Sequence, residues 1–241
     1  MFPPTFVLLL CATCYLLFFG LLLVAKKQHA NRLFDEQGVV ADTRLLVAVH
    51  MGGIVLFGVV AALLPQPLAF MPVPAATDAS LPAMLTGLLV GLLSIFSWWL
   101  AEKKHRARAC PTPTRAPLSG AFVAAYFLLR VVFICAYESW FRGYLLLACA
   151  AAFGVGAAVL LNVGLYAALH LVNGKAEVLG CLPFGAVLCG LCLWQGAAWP
   201  AVVLHLALTL PYEAGYLRKI NSYLPPSHED FSNGGLRLHR Q

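Results

Sequence analysis

The sequence predicts an all-α fold, a polytopic transmembrane helical bundle of about seven to eight membrane segments. Of its 241 residues, 61% are hydrophobic and only 11% are charged, whereas an ordinary soluble domain is about a quarter charged. Several apolar runs reach the ~20 residues that a membrane-spanning helix needs. The net charge of +6 does not indicate nucleic acid, because 13 of the 16 Lys and Arg lie in three loop or tail clusters, as topology signals do.

Residues 1–117 are predicted to form an N-terminal three-helix membrane region with basic loops. Its predicted spans are 2–25, 44–64 and 82–101. Lys and Arg follow the first and third spans, whereas the loop 65–81 contains neither. Because cytoplasmic loops carry the excess of positive residues, we expect both basic loops in the cytoplasm and the N-terminus outside. A Pro-rich stretch, 111–117, reads as a linker.

Residues 118–212 are predicted to form the functional core, followed by a polar tail at 213–241. The predicted helices of the core are 118–137, 141–153, 155–171, 176–195 and 197–212. At 1.5 Å per residue, the piece 141–153 covers ~20 Å, less than the ~30 Å hydrocarbon layer. It is either re-entrant or the continuation of a broken helix. We expect eight segments, which would put Glu138 and His170 near the outer face.

Ionisable residues inside the apolar runs are the candidate functional residues, because each costs ~2.5–3.5 kcal/mol at a helix centre on insertion scales. They are His50, Arg130, Glu138, Arg142, His170, Lys175, Glu177 and His205. Lys175 and Glu177 lie in a polar stretch between two apolar runs, which indicates a solvated turn. His50 is predicted to be a packing histidine near a helix end, since its own segment offers no partner.

Glu138 and Arg142 are four residues apart, so a helix places the carboxylate and the guanidinium on one face. The simplest interpretation is a pair that neutralises itself. Gly143 directly follows and permits close backbone approach. A pair that served stability alone would not be expected to occur with two further intramembrane histidines.

Those histidines lie on later helices. His170 ends an apolar run, with Tyr166 one turn before it, and His205 lies in another run, with Thr209 one turn after it. A carboxylate and two imidazoles could bind Zn²⁺ with an open position for water. They could instead act without metal, a Glu and one His activating water while the second His donates to the oxyanion. The spacing does not choose between these routes.

At these residues the chain resembles the CPBP family of intramembrane proteases, which includes the type II CAAX prenyl endopeptidases, the Abi proteins and the myxosortase-like proteases. The family pattern is EExxxR followed by Gly, then FxxxH, then HxxxN. The matching stretches are YESWFRG at 137–143, YAALH at 166–170 and HLALT at 205–209. The resemblance covers about 118–212 and implies a metal-independent, glutamic-type membrane endopeptidase without a cofactor.

The resemblance implies that the catalytic residues are Glu138, His170, His205 and Thr209, supported by Arg142, Tyr137 and Tyr166. Tyr137 replaces the first Glu of the motif, which in the family activates water. A phenol with a pKa of ~10 is a poor base, and adjacent helical residues point in different directions. Thr209 in place of Asn still offers one hydrogen bond, and Tyr166 in place of Phe keeps the ring.

Three interpretations follow. In the first, Glu138 and His170 together activate water. The scissile carbonyl is polarised by His205 and Thr209, and Arg142 holds Glu138. In the second, the chain is a pseudoprotease that binds a membrane partner without cutting it. In the third, which the resemblance disfavours, zinc is bound by Glu138, His170 and His205.

The first interpretation is preferred, and it makes the partner a lipidated or C-terminally tagged protein at the bilayer rather than nucleic acid. The bias toward Ala, Leu and Gly favours a bacterial cytoplasmic (inner) membrane as its location.

Overall fold

A computed structural model of the chain describes residues 4–33, 42–62, 80–106 and 118–223. Within these four ranges the regular secondary structure is helical and no strand occurs. The prediction of an all-α fold is therefore confirmed. The predicted linker at 111–117 and the tail beyond residue 223 lie outside the described residues.

The helices follow one another in chain order with two π-helical stretches and one 3₁₀ turn between them. They are α1 (Pro4–Lys27), α2 (Thr43–Gly53), the π-helical Ile54–Val59, α3 (Val60–Ala62), α4 (Ser80–Arg106), α5 (Gly120–Glu138), the π-helical Ser139–Leu145, α6 (Leu146–Phe153), α7 (Val155–Leu169), the 3₁₀ turn His170–Asn173, α8 (Lys175–Gln195) and α9 (Trp199–Tyr223).

Among the described residues, five helical runs are long and apolar enough to cross a membrane, and the chain is an integral membrane protein. These runs are Leu8–Lys27, Leu81–Lys103, Gly120–Phe153, Val155–Asn173 and Lys175–Gln195. A shorter apolar helix spans Thr43–Val59. Large apolar side chains of α4, among them Met84 and Ile95, are exposed, as lipid-facing residues are.

The predicted break between residues 137 and 141 does not occur. Instead α5 continues through the π-helical Ser139–Leu145 into α6, and the whole run Gly120–Phe153 is 34 residues long. No Pro interrupts it, and the helix ends only where Gly154 takes φ +83°, a conformation that glycine adopts at little cost. The piece 141–153 is thus the continuation of one helix.

Helix α9 is longer than predicted. The sequence places the polar tail from residue 213, but the helix runs to Tyr223. Glu213 accepts a hydrogen bond from Tyr126 of α5, and Tyr216 and Leu217 are buried. Packing against α5 therefore extends the helix into a stretch whose composition resembles a solvated tail.

The N-terminal helices pack directly on the helices of the core. Tyr15 of α1 donates a hydrogen bond to the carbonyl of Leu165 in α7 at 3.0 Å. Ser97 of α4 donates to the carbonyl of Leu208 in α9. The two contacts join α1 to α7 and α4 to α9.

Candidate active site

Glu138 lies at the end of α5 and is fully buried, with a side-chain exposure of 0%. Its Oε2 accepts a hydrogen bond from Nη1 of Arg142 at 2.8 Å. Its Oε1 lies 2.5 Å from Nδ1 of His205 on α9. Both carboxylate oxygens are therefore occupied, one by a guanidinium and one by an imidazole. The predicted pairing of Glu138 with Arg142 is observed.

Arg142 lies in the π-helical stretch that follows, and its side chain is also 0% exposed. The guanidinium carbon lies 4.4 Å from the ring centroid of Tyr166, which is the geometry of a cation–π contact. Its Nε and Nη2 have no hydrogen-bond partner among the described residues. The Tyr166 ring thus fixes a guanidinium that Glu138 alone does not saturate.

Asn162 of α7 anchors the π-helical stretch. Its Nδ2 donates to the carbonyl of Phe141 at 2.6 Å, and its Oδ1 accepts from Sγ of Cys189 at 3.3 Å. π-Helical stretches are often found at functional sites. Here one buried amide holds the segment that carries Arg142 against both α7 and α8.

Tyr137 is buried at 4% exposure in a cluster of aromatic rings. Its ring lies 4.6 Å from that of Phe141, 5.6 Å from that of Phe57 and 6.0 Å from the imidazole of His205. Its hydroxyl has no hydrogen-bond partner among the described residues. The residue therefore occupies its motif position as packing, and its hydroxyl contacts no group that it could deprotonate.

His170 begins the 3₁₀ turn after α7, and its ring packs edge-on against Tyr166 with centroids 4.9 Å apart. Its Nδ1 lies 3.4 Å from Oε2 of Glu177 on α8. The first interpretation expected His170 to work beside Glu138, but the structure pairs His170 with Glu177 and gives Glu138 to His205. Tyr166 contacts both pairs, because its ring also lies 6.3 Å from that of His205.

The segment after α1 holds the turn that follows His170. Arg32 contacts Oε1 of Glu177 at 2.6 Å and donates to the backbone carbonyl of Asn173 at 2.8 Å. Asn31 donates to Oδ1 of Asn173 at 2.8 Å. Glu177, predicted to lie in a merely solvated turn, is instead held by a cation from the segment that follows α1.

A second polar cluster lies between α2, α5 and α9. Arg130 Nη1 lies 3.1 Å from Nε2 of His50, and Arg130 Nε lies 3.4 Å from Oε1 of Glu213. Tyr126 donates to the other oxygen of Glu213 at 3.1 Å. His50 is buried, as predicted, but its partner comes from α5 rather than from its own segment.

Two residues of these networks, Asn162 and Glu213, are absent from the predicted candidates, and a third, Glu177, was a candidate but was assigned to a solvated turn. Asn162 is not ionisable, although it is a polar residue inside an apolar run. Glu213 fell in the predicted tail, although it lies eight residues after His205 and hence on the same helix face if the helix continues. Glu177 carried no local signal, since its partner Arg32 is far away in sequence.

The structure places Thr209 one turn after His205 on α9, half-buried. Among the residues that the structure describes, no three His, Cys, Asp or Glu side chains form a cluster that could hold a metal ion. The set Glu138, His170 and His205 is thus not assembled as three ligands around one point.

Comparison with known families matches the core alone. The model of the family described as type II CAAX prenyl endopeptidase Rce1-like matches residues 119–210. This stretch carries α5 to the first half of α9 and so includes Glu138, Arg142, His170 and His205. No curated protein and no solved structure matches the chain significantly.

Proposed function

Since residues 119–210 match the model of the type II CAAX prenyl endopeptidase Rce1-like family, we propose that this protein is an intramembrane endopeptidase that hydrolyses a peptide bond of a prenylated or C-terminally tagged protein. The observation that carries the proposal is the buried network of Arg142, Glu138 and His205. Ionisable groups inside a membrane segment are expensive and mark functional sites. The arrangement resembles the dyads in which a carboxylate fixes the orientation of a catalytic imidazole.

In the proposed reaction Glu138 fixes His205. With Nδ1 of His205 donating to Glu138, its Nε2 is left for the substrate, where a protonated imidazole can stabilise the developing oxyanion. Thr209, one turn along α9, offers a second donor. Arg142 keeps Glu138 ionised and in place.

Water activation is the remaining step. The sequence-based interpretation gives it to Glu138 with His170. In the structure each oxygen of Glu138 already accepts one hydrogen bond and the side chain is 0% exposed, so Glu138 is poorly placed to take a proton from water.

We further propose seven crossings, with the N-terminus outside and the tail in the cytoplasm. Because Gly120–Phe153 is one helical run, counting it as one crossing reverses the direction of every later helix relative to the eight-segment expectation. His170 then lies at the cytoplasmic end of α7. The hydrogen bonds from Asn31 and Arg32 to Asn173 support this placement, since Lys26 and Lys27 precede them at the cytoplasmic end of α1.

The proposal is tested by peptide cleavage. The purified protein is reconstituted in liposomes with prenylated C-terminal peptides, and the products are identified by mass spectrometry. Wild type should release C-terminal residues, and Glu138→Gln should lose at least ~10² in rate, the lower range for losing a group that stabilises the oxyanion. Lys175→Gln, which neutralises an exposed residue outside the networks, should match wild type. A silent wild type would contradict the proposal.

A second candidate function is supported by Tyr137. At that motif position the chain has a tyrosine packed among aromatic rings and not a carboxylate. A pseudoprotease that binds without cutting would lack the carboxylate in the same way. In the same liposomes such a protein would retain peptide without cutting it, and Tyr137→Glu alone would gain cleavage.

A further inference from the structure

Glu177 has no role in the reaction as described so far. We propose that it is a positioning residue that orients His170 as the base that activates water. The inference rests on the proposed endopeptidase function and deepens it, because it assigns the step for which Glu138 and Tyr137 are unsuited. It adds to the site a carboxylate from α8 and a cation from the segment that follows α1.

The geometry around His170 repeats the geometry around His205. In the buried network, Arg142 holds one oxygen of Glu138 and Nδ1 of His205 holds the other. In the second network, Arg32 lies 2.6 Å from Oε1 of Glu177, and Nδ1 of His170 lies 3.4 Å from its Oε2.

Both imidazoles pack edge-on against the one ring of Tyr166. The site therefore contains two sets of cation, carboxylate and imidazole that contact one aromatic residue. In each set the carboxylate lies beside Nδ1 of the histidine, which leaves Nε2 for the substrate or water.

The two networks differ in their exposure. The side chains of Glu138 and His205 are 0% and 11% exposed, whereas those of Glu177 and His170 are 43% and 24% exposed. A buried imidazole beside a buried carboxylate suits the stabilisation of an oxyanion in a dry environment. A partly exposed imidazole at the end of α7, beside the charged side chains of Glu177 and Arg32, suits the activation of water. The roles of the two histidines are thus divided by exposure.

The segment after α1 holds the second network in place. Asn31 and Arg32 both bind Asn173, so the turn between His170 and Glu177 is fixed to α1. Arg32 lies outside residues 119–210, the part that matches the family model. An essential contact of the site would then come from the N-terminal region.

The step is balanced as follows. Nε2 of His170 takes a proton from water while the water oxygen forms a bond to the carbonyl carbon of the scissile peptide. His205 donates a hydrogen bond to the resulting oxyanion. The C–N bond then breaks, and the imidazolium of His170 returns its proton to the leaving amine, which leaves His170 neutral. Glu177 stays ionised throughout and stabilises the imidazolium through Nδ1.

The test measures kcat and KM for peptide cleavage in liposomes. Glu177→Gln keeps the size of the side chain but removes its charge, so it should lower kcat at least tenfold while leaving KM within twofold. Glu177→Asp should restore part of kcat, because it restores the carboxylate. Lys175→Gln, on the same turn and exposed, should retain wild-type values. Since Glu177 is half-exposed, its substitution should leave thermal unfolding of the bundle nearly unchanged.

The outcomes separate the two proposals. An active wild type with a low kcat for Glu177→Gln and recovery in Glu177→Asp supports the inference. An active wild type whose Glu177→Gln retains kcat overturns the inference and leaves the endopeptidase function standing. A loss of kcat in both Glu177 variants together with a lowered unfolding temperature also overturns it, because the residue would then be structural. A silent wild type overturns the endopeptidase function and the inference with it.

Discussion

Arg130 lies 3.4 Å from Glu213, and this pair repeats the contact between Glu138 and His205 eight residues away along both α5 and α9. Eight residues of helix rise ~12 Å, so two polar contacts about 12 Å apart fix how the antiparallel helices lie against each other. A helix that slid by one turn would break both contacts together. The second cluster therefore sets the position of His205 against Glu138 without belonging to the site.

The first prediction concerns this second pair. Glu213→Ala should lower the free energy of unfolding by about 2–3 kcal/mol, because Arg130 is left as a largely buried charge without its partner. The loss is smaller than for a fully buried pair, since both side chains are partly exposed. It should also lower the rate of cleavage, since α9 loses its second contact with α5. The measurement is thermal or denaturant unfolding in detergent, together with the cleavage assay.

The double variant Arg130→Met/Glu213→Met is the control for that prediction. It removes both charges and keeps apolar volume, so it should recover a large part of the lost stability. A double variant as unstable as the sum of its single variants would show that the two residues do not act as a pair.

The second prediction concerns the buried pair itself. Glu138→Ala should lower the free energy of unfolding by ~3–5 kcal/mol, because Arg142 remains as an uncompensated buried charge. Glu138→Gln retains an oxygen that can accept from Arg142 and should be more stable than Glu138→Ala. Both should be inactive. Activity in folded Glu138→Gln would show that the carboxylate is not needed to orient His205.

The third prediction compares two glycines of α8. A Cβ added at Gly185 would lie 3.1 Å from Cδ1 of Tyr166 and 3.7 Å from Nη2 of Arg142, whereas a Cβ at Gly190 would meet nothing within 4 Å. Gly185→Ala should therefore displace the Tyr166 ring, which contacts the two histidines, and lower the rate of cleavage. Gly190→Ala should keep the rate and add up to ~1 kcal/mol through helix propensity. Equal rates for the two variants would contradict a positioning role for the ring.

The fourth prediction concerns metal ions. Cleavage should persist after treatment with a strong chelator and dialysis, because the proposed reaction uses imidazoles and carboxylates alone. Loss of activity that added Zn²⁺ restores would favour the zinc-dependent interpretation. The control is a known zinc peptidase in the same liposomes, which should lose activity under the same treatment.

Much of the fold could be predicted from composition. Long apolar runs with few charges have no stable alternative to helices in a bilayer, because every backbone polar group must be satisfied within the segment. The pairing of Glu138 with Arg142 was predictable too, since a spacing of four residues suffices. The continuity of α5 and α6 was not, because a π-helical stretch leaves no distinct sequence signal.

The sequence by itself determined that the chain is a membrane-embedded helical bundle and that its few intramembrane ionisable residues concentrate between 130 and 205. Those properties follow from the free-energy cost of placing a charge in lipid, which depends on each residue and the apolar segment around it. Only the tertiary structure decided that Glu138 faces His205, that His170 faces Glu177, and that Arg32 holds Glu177. Such pairings depend on which helices lie side by side. Arg32 and Glu177 are 145 residues apart in the sequence, and no local pattern around either residue predicts their contact.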